Sequence, residues 1–287
     1  MDTKELLKKV RKIEIKTKGL SNQVFSGEYH SAFKGKGMAF SEVREYMPGD
    51  EIRTIDWNVT ARFNHPYVKV FHEERELTVM LLVDISSSEI FGSNQQLKKE
   101  IIAELCAVIA FSATQNNDKI GALLFSDQTE LYIPPKKGKK HILRIIRELI
   151  EFQPSSKKTN ISSAIQYFNN MIKKRSIAFI VSDFIDDNYE QDLKIANKKH
   201  DIVALKVFDP REKILPNMGF VLFEDAETGM KQWVNTGNKK HQLKYKNNAL
   251  SREHHTIEVF KKAGVDFANI NIDKGYIRPL MNLFKRR

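Results

Sequence analysis

The residues best placed to do chemistry are an aspartate and two serines that follow a largely apolar run. Asp84, Ser86 and Ser88 form an Asp-x-Ser-x-Ser triplet directly after residues 77–83, Leu-Thr-Val-Met-Leu-Leu-Val. A run of this kind is typical of a strand that is buried on both faces of a sheet. Because ligands bind beyond the carboxyl ends of the strands in open parallel sheets, we expect the triplet at a binding edge.

The oxygen atoms of this triplet suit a hard divalent cation. Mg²⁺ prefers octahedral oxygen coordination, and three ligands on one loop are too few. Thr159, at the expected start of a helix, and Asp183, at the end of the expected strand 177–182, supply two further oxygens at the same edge. The sequence therefore predicts Mg²⁺, with Mn²⁺ or Ca²⁺ as substitutes, at Asp84, Ser86, Ser88, Thr159 and Asp183.

This ligand set also predicts what the metal would recognise. Two carboxylates and three neutral hydroxyls leave one coordination position open and the metal electrophilic. We therefore expect it to accept an Asp or Glu carboxylate from a partner protein. The competing interpretation is purely structural, because Asp and Ser also cap helices and fill turns without any metal.

The elements that position these residues alternate between strand and helix patterns. Strands are predicted at 77–84, 119–125, 130–133, 177–182 and 202–208, and helices at 95–114, 141–152, 160–174 and 190–199. This alternation predicts an α/β fold with a Rossmann-type, mainly parallel sheet and helices on both faces. Beyond Pro210 we expect a hairpin at 219–224 and 230–234, a helix at 239–262, a strand at 266–272 and a short terminal helix.

Residues 1–76 differ in kind from residues 77–287, which predicts two domains. The first part opens with a basic amphipathic helical pattern and continues with a stretch rich in glycine and charge, with few strand signals before 67–71. Three arginines and three acids in it, together with Tyr46 and Trp57, suggest a paired polar network. The six charged residues are Arg44, Arg53, Arg62, Glu45, Asp50 and Asp56.

Composition narrows the function classes. The chain has 287 residues, of which 41% are hydrophobic and 29% charged, and this is an ordinary globular composition. No apolar stretch approaches the ~20 residues of a membrane span, and the single Cys106 excludes a disulfide framework. We therefore expect a cytoplasmic protein without a transmembrane segment. The net charge of +11 permits nucleic-acid binding, but no zinc finger or ribonucleoprotein motif accompanies it.

Two resemblances extend this interpretation. The five oxygen-bearing residues resemble, in chain order, the metal-ion-dependent adhesion site of von Willebrand A domains, although Asn160 stands where relatives often have Asp. Three segments resemble the bacterial "domain of unknown function 58" family: Gly-Lys-Gly-Met-Ala-Phe at 35–40, Arg-Glu-Tyr-Met-Pro-Gly-Asp at 44–50, and Arg-Thr-Ile-Asp-Trp-Asn-Val-Thr-Ala-Arg at 53–62. The family resemblance implies a von Willebrand A-like domain and a MoxR-type AAA+ ATPase as partner, in envelope or stress-related assembly or protein maturation.

The resulting prediction is a non-enzymatic, metal-dependent protein-binding adaptor. One alternative is a haloacid-dehalogenase-like phosphotransferase, since Asp84 ends an apolar strand and 183–187, Asp-Phe-Ile-Asp-Asp, resembles the acidic loop of such enzymes. Ser86, however, occupies the place of the second Asp that such an enzyme uses as general acid, and a serine hydroxyl is a poor acid at neutral pH. The other alternative is a basic protein that binds nucleic acid without a specific motif.

Overall fold

The computed structural model describes residues 38–73, 76–86, 95–224 and 230–287, together with Arg11 and Ile13. The chain divides into two compact units, of which the smaller is Lys34–Leu77 and the larger includes Thr78–Arg287. The basic helix expected at the amino terminus lies almost entirely outside the described residues.

The smaller unit is built on a two-stranded antiparallel ribbon. Strand β1, Met38–Glu45, pairs with β2, Tyr67–Glu73, and the register shifts between Phe40 and Glu42. Between them lie a 3-10 turn, Ile52–Thr54, and helix α1, Trp57–Phe63. The expectation of few strand signals before 67–71 was wrong for β1, because this strand is defined by its pairing with β2 and not by a local hydrophobic alternation.

The larger unit is organised around a six-stranded sheet. Its strands are β3 (Thr78–Asp84), β4 (Lys119–Phe125), β5 (Thr129–Lys136), β6 (Ile177–Ser182), β7 (Asp201–Phe208) and β10 (Asp266–Asn271). The spatial order is β10-β7-β6-β3-β4-β5, and every neighbouring pair is parallel except β4 and β5. This confirms the predicted mainly parallel α/β sheet.

Within the described ranges from 76 onwards, six α-helices and a hairpin complete the larger unit. The helices are α2 (Gln95–Gln115), α3 (Lys139–Glu151), α4 (Ile161–Met171), α5 (Glu190–Lys199), α6 (Lys239–Ala263) and α7 (Ile277–Arg286). Strands β8 (Phe220–Glu224) and β9 (Lys231–Asn235) form the antiparallel hairpin expected after Pro210. Among the described residues, no helix combines the length and the apolar character that crossing a membrane requires.

The sheet buries both of its faces under helices. Met80 and Ile180 lie on one face, in a single apolar cluster with residues of α4, α5 and α6. Phe179 points to the opposite face, because side chains alternate along a strand, and its ring contacts Phe284 of α7 with centroids 6.4 Å apart. Two-sided burial is the reason why β3 and β6 have nearly continuous apolar sequences.

One boundary error of three residues concerns the end of β5. The sequence predicts a strand that ends at Ile133, before Pro134 and Pro135, whereas the strand continues to Lys136. Because β5 is the last strand of the sheet, one of the two prolines can direct its missing N–H to the open side. The register shift opposite Ile120 and Ala122 accommodates the other.

Candidate functional site

Buried polar side chains gather at one edge of the sheet. They follow the carboxyl ends of four strands: Asp84 and Ser86 after β3, Ser126 after β4, Ser182 and Asp183 after β6, and Asp209 after β7. Since these four strands run parallel, their carboxyl ends meet at the same edge. Four of the five predicted ligands, Asp84, Ser86, Thr159 and Asp183, are among the described residues. The fifth, Ser88, lies outside them.

Asp84 is fixed through both of its carboxylate oxygens. Its Oδ1 accepts a hydrogen bond from the backbone N–H of Ser86 at 3.0 Å, and its Oδ2 accepts one from the Ser182 hydroxyl at 2.7 Å. The side chain is almost fully buried, at 1% exposure. The sequence reasoning missed Ser182, although aligning the ends of β3 and β6 would have placed it beside Asp84, because Val83 and Val181 are register partners.

Thr159 joins the site from a separate loop. Its hydroxyl donates to Ser86 Oγ at 2.7 Å, so two predicted ligands that are 73 residues apart in sequence are in direct contact. The following residue, Asn160, accepts from the Ser163 N–H at 2.8 Å as the N-cap of α4. Asn is as good an N-cap as Asp, so the departure from the family pattern at Asn160 preserves the local structure.

A hydrogen-bonded carboxylate anchors the loop that carries Thr159. Glu130 accepts hydrogen bonds from the Ser126 hydroxyl at 2.7 Å, from the Ser155 N–H at 3.1 Å and from the Ser156 N–H at 3.3 Å. Burial alone would raise the pKa of Glu130, but these hydrogen bonds favour the ionised form and lower it. Glu130 therefore ties the turn after β4 to the loop that precedes Thr159.

Asp183 is held by a backbone donor and by a buried lysine. Its Oδ1 accepts from the Ile185 N–H at 3.1 Å, and its Oδ2 lies 3.6 Å from Lys98 Nζ. The same ammonium lies 3.4 Å from Glu212 Oε1, and Lys98 is only 1% exposed. Lys98 was missed, although the helical spacing 98, 102, 105, 109 places it in line with Ile102 and other buried positions of α2.

The backbone is strained directly after Asp183. Phe184 adopts a left-handed conformation with φ 57°, which is costly for a residue with a Cβ. Its N–H donates to Ser182 Oγ at 3.0 Å, and its ring packs edge-on against Phe260 with centroids 4.8 Å apart. Aromatic packing thus holds the sharp turn that directs Asp183 towards the site.

The electrostatics of the site favour an added cation. Burial, reinforced by the nearby Asp183 carboxylate, raises the pKa of Asp84 to about 7, against the hydrogen bonds from Ser86 and Ser182 that lower it. Two buried carboxylates that repel each other gain from a cation between them. Within the described ranges, no group of three or more His, Cys, Asp or Glu side chains could hold a metal ion, so a metal here depends on hydroxyl ligands. Such an oxygen-only donor set fits Mg²⁺.

In the smaller unit, the charged residues of the signature segments make short-range contacts instead of one shared network. Arg44 and Asp50 make a bidentate pair at 2.8 and 2.7 Å, and Gly49 has the positive φ of 109° that the turn after Pro48 needs. Asp56 caps α1 and lies 3.4 Å from Lys69 Nζ instead of pairing with an arginine.

The predicted network was therefore wrong for two of its three arginines. Arg53 and Arg62 are exposed and make no ion pair with any residue that the structure describes. Trp57 is also exposed, at 67% of its surface.

Comparison with known proteins gives a family but no established activity. The family model described as "Protein of unknown function DUF58" matches residues 42–256. An uncharacterized protein of Mycobacterium tuberculosis is 30% identical over 233 residues, which are 80% of this chain and 74% of the relative.

Two solved structures show weaker likenesses. An aerotolerance-related membrane protein from Bacteroides fragilis is 15% identical over 74% of this chain and 100% of its own, with a TM-score of 0.49. Proximal thread matrix protein 1 from the mussel byssus, solved with zinc in its MIDAS motif, is 16% identical over 46% of this chain and 38% of its own, with a TM-score of 0.35. Both scores are below 0.5, so the fold assignment rests on the sheet order. On the family model and the mycobacterial relative, the chain belongs to the DUF58 family of proteins of unknown function.

Proposed function

We propose that this protein is a non-enzymatic adaptor that binds a partner protein through a divalent metal ion. The observation that carries the proposal is the 2.7 Å contact between the hydroxyls of Thr159 and Ser86, next to the buried Asp84 carboxylate. Three oxygen donors from two distant segments thereby meet at the carboxyl edge of the sheet. A purely structural cap would not require this convergence.

Asp84, Ser86, Ser88, Thr159 and Asp183 would hold the metal, for which Mg²⁺ is the best match. When bound, the metal supplies an electrophilic centre for a carboxylate oxygen. The protein orients the ligands: Ser182 and the Ser86 N–H fix Asp84, and the Ile185 N–H and Lys98 fix Asp183. An Asp or Glu of the partner would complete the coordination.

The same geometry argues against phosphoryl transfer. Ser86 stands two residues after Asp84, where a phosphotransferase of the haloacid dehalogenase type needs a carboxylic acid to protonate its leaving group. Both oxygens of Asp84 already accept hydrogen bonds, which reduces its strength as a nucleophile. We therefore propose recognition, without catalysis, as the role of this edge.

The partner we propose is a MoxR-type AAA+ ATPase, acting with this protein in the cytoplasm in envelope or stress-related assembly or protein maturation. The support is the resemblance of the signature segments at 35–40, 44–50 and 53–62, together with a metal edge suited to an acidic residue. The exposed Trp57, in the last of these segments, offers a further contact for the same partner.

Affinity capture from the native cell tests this proposal. Tagged wild type, Asp84→Asn and Asp187→Asn would each be used with Mg²⁺ and with a chelator. Asp187 is the matched control, because it is an exposed aspartate on the loop that follows the same strand as Asp183. We expect wild type and Asp187→Asn to recover an AAA+ ATPase only with Mg²⁺, and Asp84→Asn to recover none. Equal recovery under all conditions would contradict a metal-dependent contact.

A further inference from the structure

A second candidate binding site lies at the far edge of the sheet, between β10 and α7. It is a cleft of about 830 Å³. Its lining contains three cations, Lys274, Arg278 and Arg286, and three amides, Asn269, Asn271 and Asn282, but no acidic side chain. The cleft shares no residue with the candidate metal site, so binding at the cleft does not depend on the proposed function.

The first wall of the cleft is an open strand edge. β10 is the terminal strand of the sheet and pairs only with β7 among the described strands. An edge strand presents a row of backbone N–H and C=O groups that can pair with another chain. In the same wall, the buried Oδ1 of Asn269 has no hydrogen-bond partner among the residues the structure describes. A buried acceptor of this kind calls for a donor.

The second wall is a polar stripe on α7. Arg278, Asn282 and Arg286 recur every four residues and are all exposed. The helix returns antiparallel to the strand, since Arg287 Nε lies 2.7 Å from Asp266 Oδ2 at the beginning of β10. The opposite side of α7 is firmly seated, because Leu280, Leu283 and Phe284 are buried. The stripe therefore runs alongside the open edge on a rigid support.

No acidic side chain in the described part of the chain neutralises the positive charge in the cleft. Lys274, Arg278 and Arg286 make no ion pair with a described residue, whereas Arg287 next to them pairs with both Asp201 and Asp266. Unpaired cations that converge on an open backbone edge favour an anionic chain. The geometry also sets a spacing, since eight residues of helix separate the two arginines by about 12 Å.

We propose that this cleft binds an extended acidic segment of a partner protein, which adds to β10 as a further strand. Side chains on one face of a strand recur about every 6.6 Å, so carboxylates four residues apart span roughly 13 Å and meet Arg278 and Arg286. The N–H and C=O groups of the segment pair with the free backbone groups of this edge. Strand addition of this type draws affinity from the main chain and specificity from the side chains.

A small phosphorylated ligand is the competing occupant. It would satisfy the charge of Lys274 and the arginines, but it would use neither the strand edge nor the 12 Å spacing that eight helical residues provide. Only the peptide segment would form backbone hydrogen bonds with β10. An experiment that blocks these hydrogen bonds therefore distinguishes the two ligands.

The test is fluorescence anisotropy with the full chain near physiological ionic strength. The probe is a labelled peptide of Val and Thr with two glutamates four residues apart. The first control peptide has the same sequence with N-methyl groups at alternate residues, which blocks strand pairing. The variant Arg278→Glu/Arg286→Glu is matched by Lys239→Glu/Lys240→Glu, an equal charge reversal at two exposed lysines of α6. Thermal melting checks that both variants fold.

We expect the unmodified peptide to bind and to slow amide hydrogen exchange in residues 266–271. N-methylation should weaken binding by about tenfold or more, because it removes backbone hydrogen bonds to the strand edge. The arginine variant should weaken it by a similar factor, because it removes charge-assisted hydrogen bonds. The lysine control should bind like wild type. The proposal is overturned if the unmodified peptide does not bind, or if the N-methylated peptide binds equally well. It is also overturned if both charge reversals weaken binding alike. A further contradicting result is that inorganic phosphate competes directly for the site and the peptide does not slow hydrogen exchange in residues 266–271.

Discussion

Among single residues, Lys98 has a direct influence on the net charge of the candidate metal site. Its ammonium lies 3.6 Å from Asp183 and 3.4 Å from Glu212; Lys98 and Asp183 are buried, and Glu212 is partly exposed. Burying a charge is costly unless it is paired. Lys98 therefore allows the carboxylates of Asp183 and Glu212 to lie close to each other without leaving all of their negative charge uncompensated. It also limits how strongly Asp183 is drawn to a metal.

Replacing Lys98 by methionine tests this balance. The variant leaves Asp183 and Glu212 without their cation, and removing one partner of a buried pair costs about 3 kcal/mol of unfolding free energy. Urea denaturation measures the loss. Lys99→Met is the matched control, because Lys99 is half-buried and, among the described residues, its Nζ donates to the Phe152 carbonyl at 3.1 Å and pairs with no acid. Equal destabilisation by the two variants would show that Lys98 stabilises through packing alone.

The residues of the site were predictable to different degrees. Asp84 and Asp183 follow runs that are buried on both faces, so local sequence places them at strand ends. Lys98 had a local signal in the helical spacing of α2. Its pairing with Asp183, and the contact of Ser182 with Asp84, became visible only with the orientation of α2 and the register of β3 against β6. These depend on contacts between segments far apart in the chain, and such contacts leave little trace in local periodicity.

At the scale of elements, the packing of α4 on α5 contains a buried histidine. His200 follows α5, its ring lies 4.5 Å from the Phe168 ring of α4, and its Nδ1 lies 3.0 Å from the Ser176 hydroxyl. Burial, together with the positive charges of Lys199 and Arg175, lowers the pKa of His200 to about 4. The imidazole is therefore neutral in the folded protein at pH 7.

This histidine makes the fold sensitive to acid. An unfolded histidine titrates near 6.5, so the unfolded chain takes up the proton first. The stabilisation is complete above pH 6.5 and is lost as the pH falls towards 4, by ~3 kcal/mol. Urea denaturation from pH 7 to pH 4.5 checks this, with His200→Gln as the non-titrating comparison. We expect the wild type to lose more stability than the variant, and parallel pH profiles would rule out this role of His200.

Helices and strands were predictable where the hydrophobic pattern of the segment itself identifies them. Strands β3 and β6 were placed within one residue, because both faces of each are buried and their sequences are apolar throughout. Strand β1 was missed, since its residues become a strand through pairing with β2. Strand β5 was predicted to end before Pro134. The sequence alone does not reveal that β5 is the last strand of the sheet, where a proline can be accommodated.

At the scale of the whole molecule, the net positive charge and both proposed sites favour acidic partners. The chain carries a net charge of +11, and a surface of this sign attracts acidic partners. The metal edge would bind one carboxylate by coordination, and the β10–α7 cleft would bind several through arginine and lysine. The two sites share no residue, so each can be removed without altering the other.

The central claim is that the carboxyl edge of the sheet holds a divalent metal, and calorimetric titration of Mg²⁺ tests it most directly. Wild type, Asp84→Asn, Thr159→Val and Asp187→Asn would be titrated after chelator treatment, with thermal melting to confirm folding. We expect one Mg²⁺ per chain for wild type and Asp187→Asn, weaker binding for Thr159→Val and none for Asp84→Asn. No heat of binding to the folded wild type, with Mg²⁺ or with Mn²⁺, would contradict the claim.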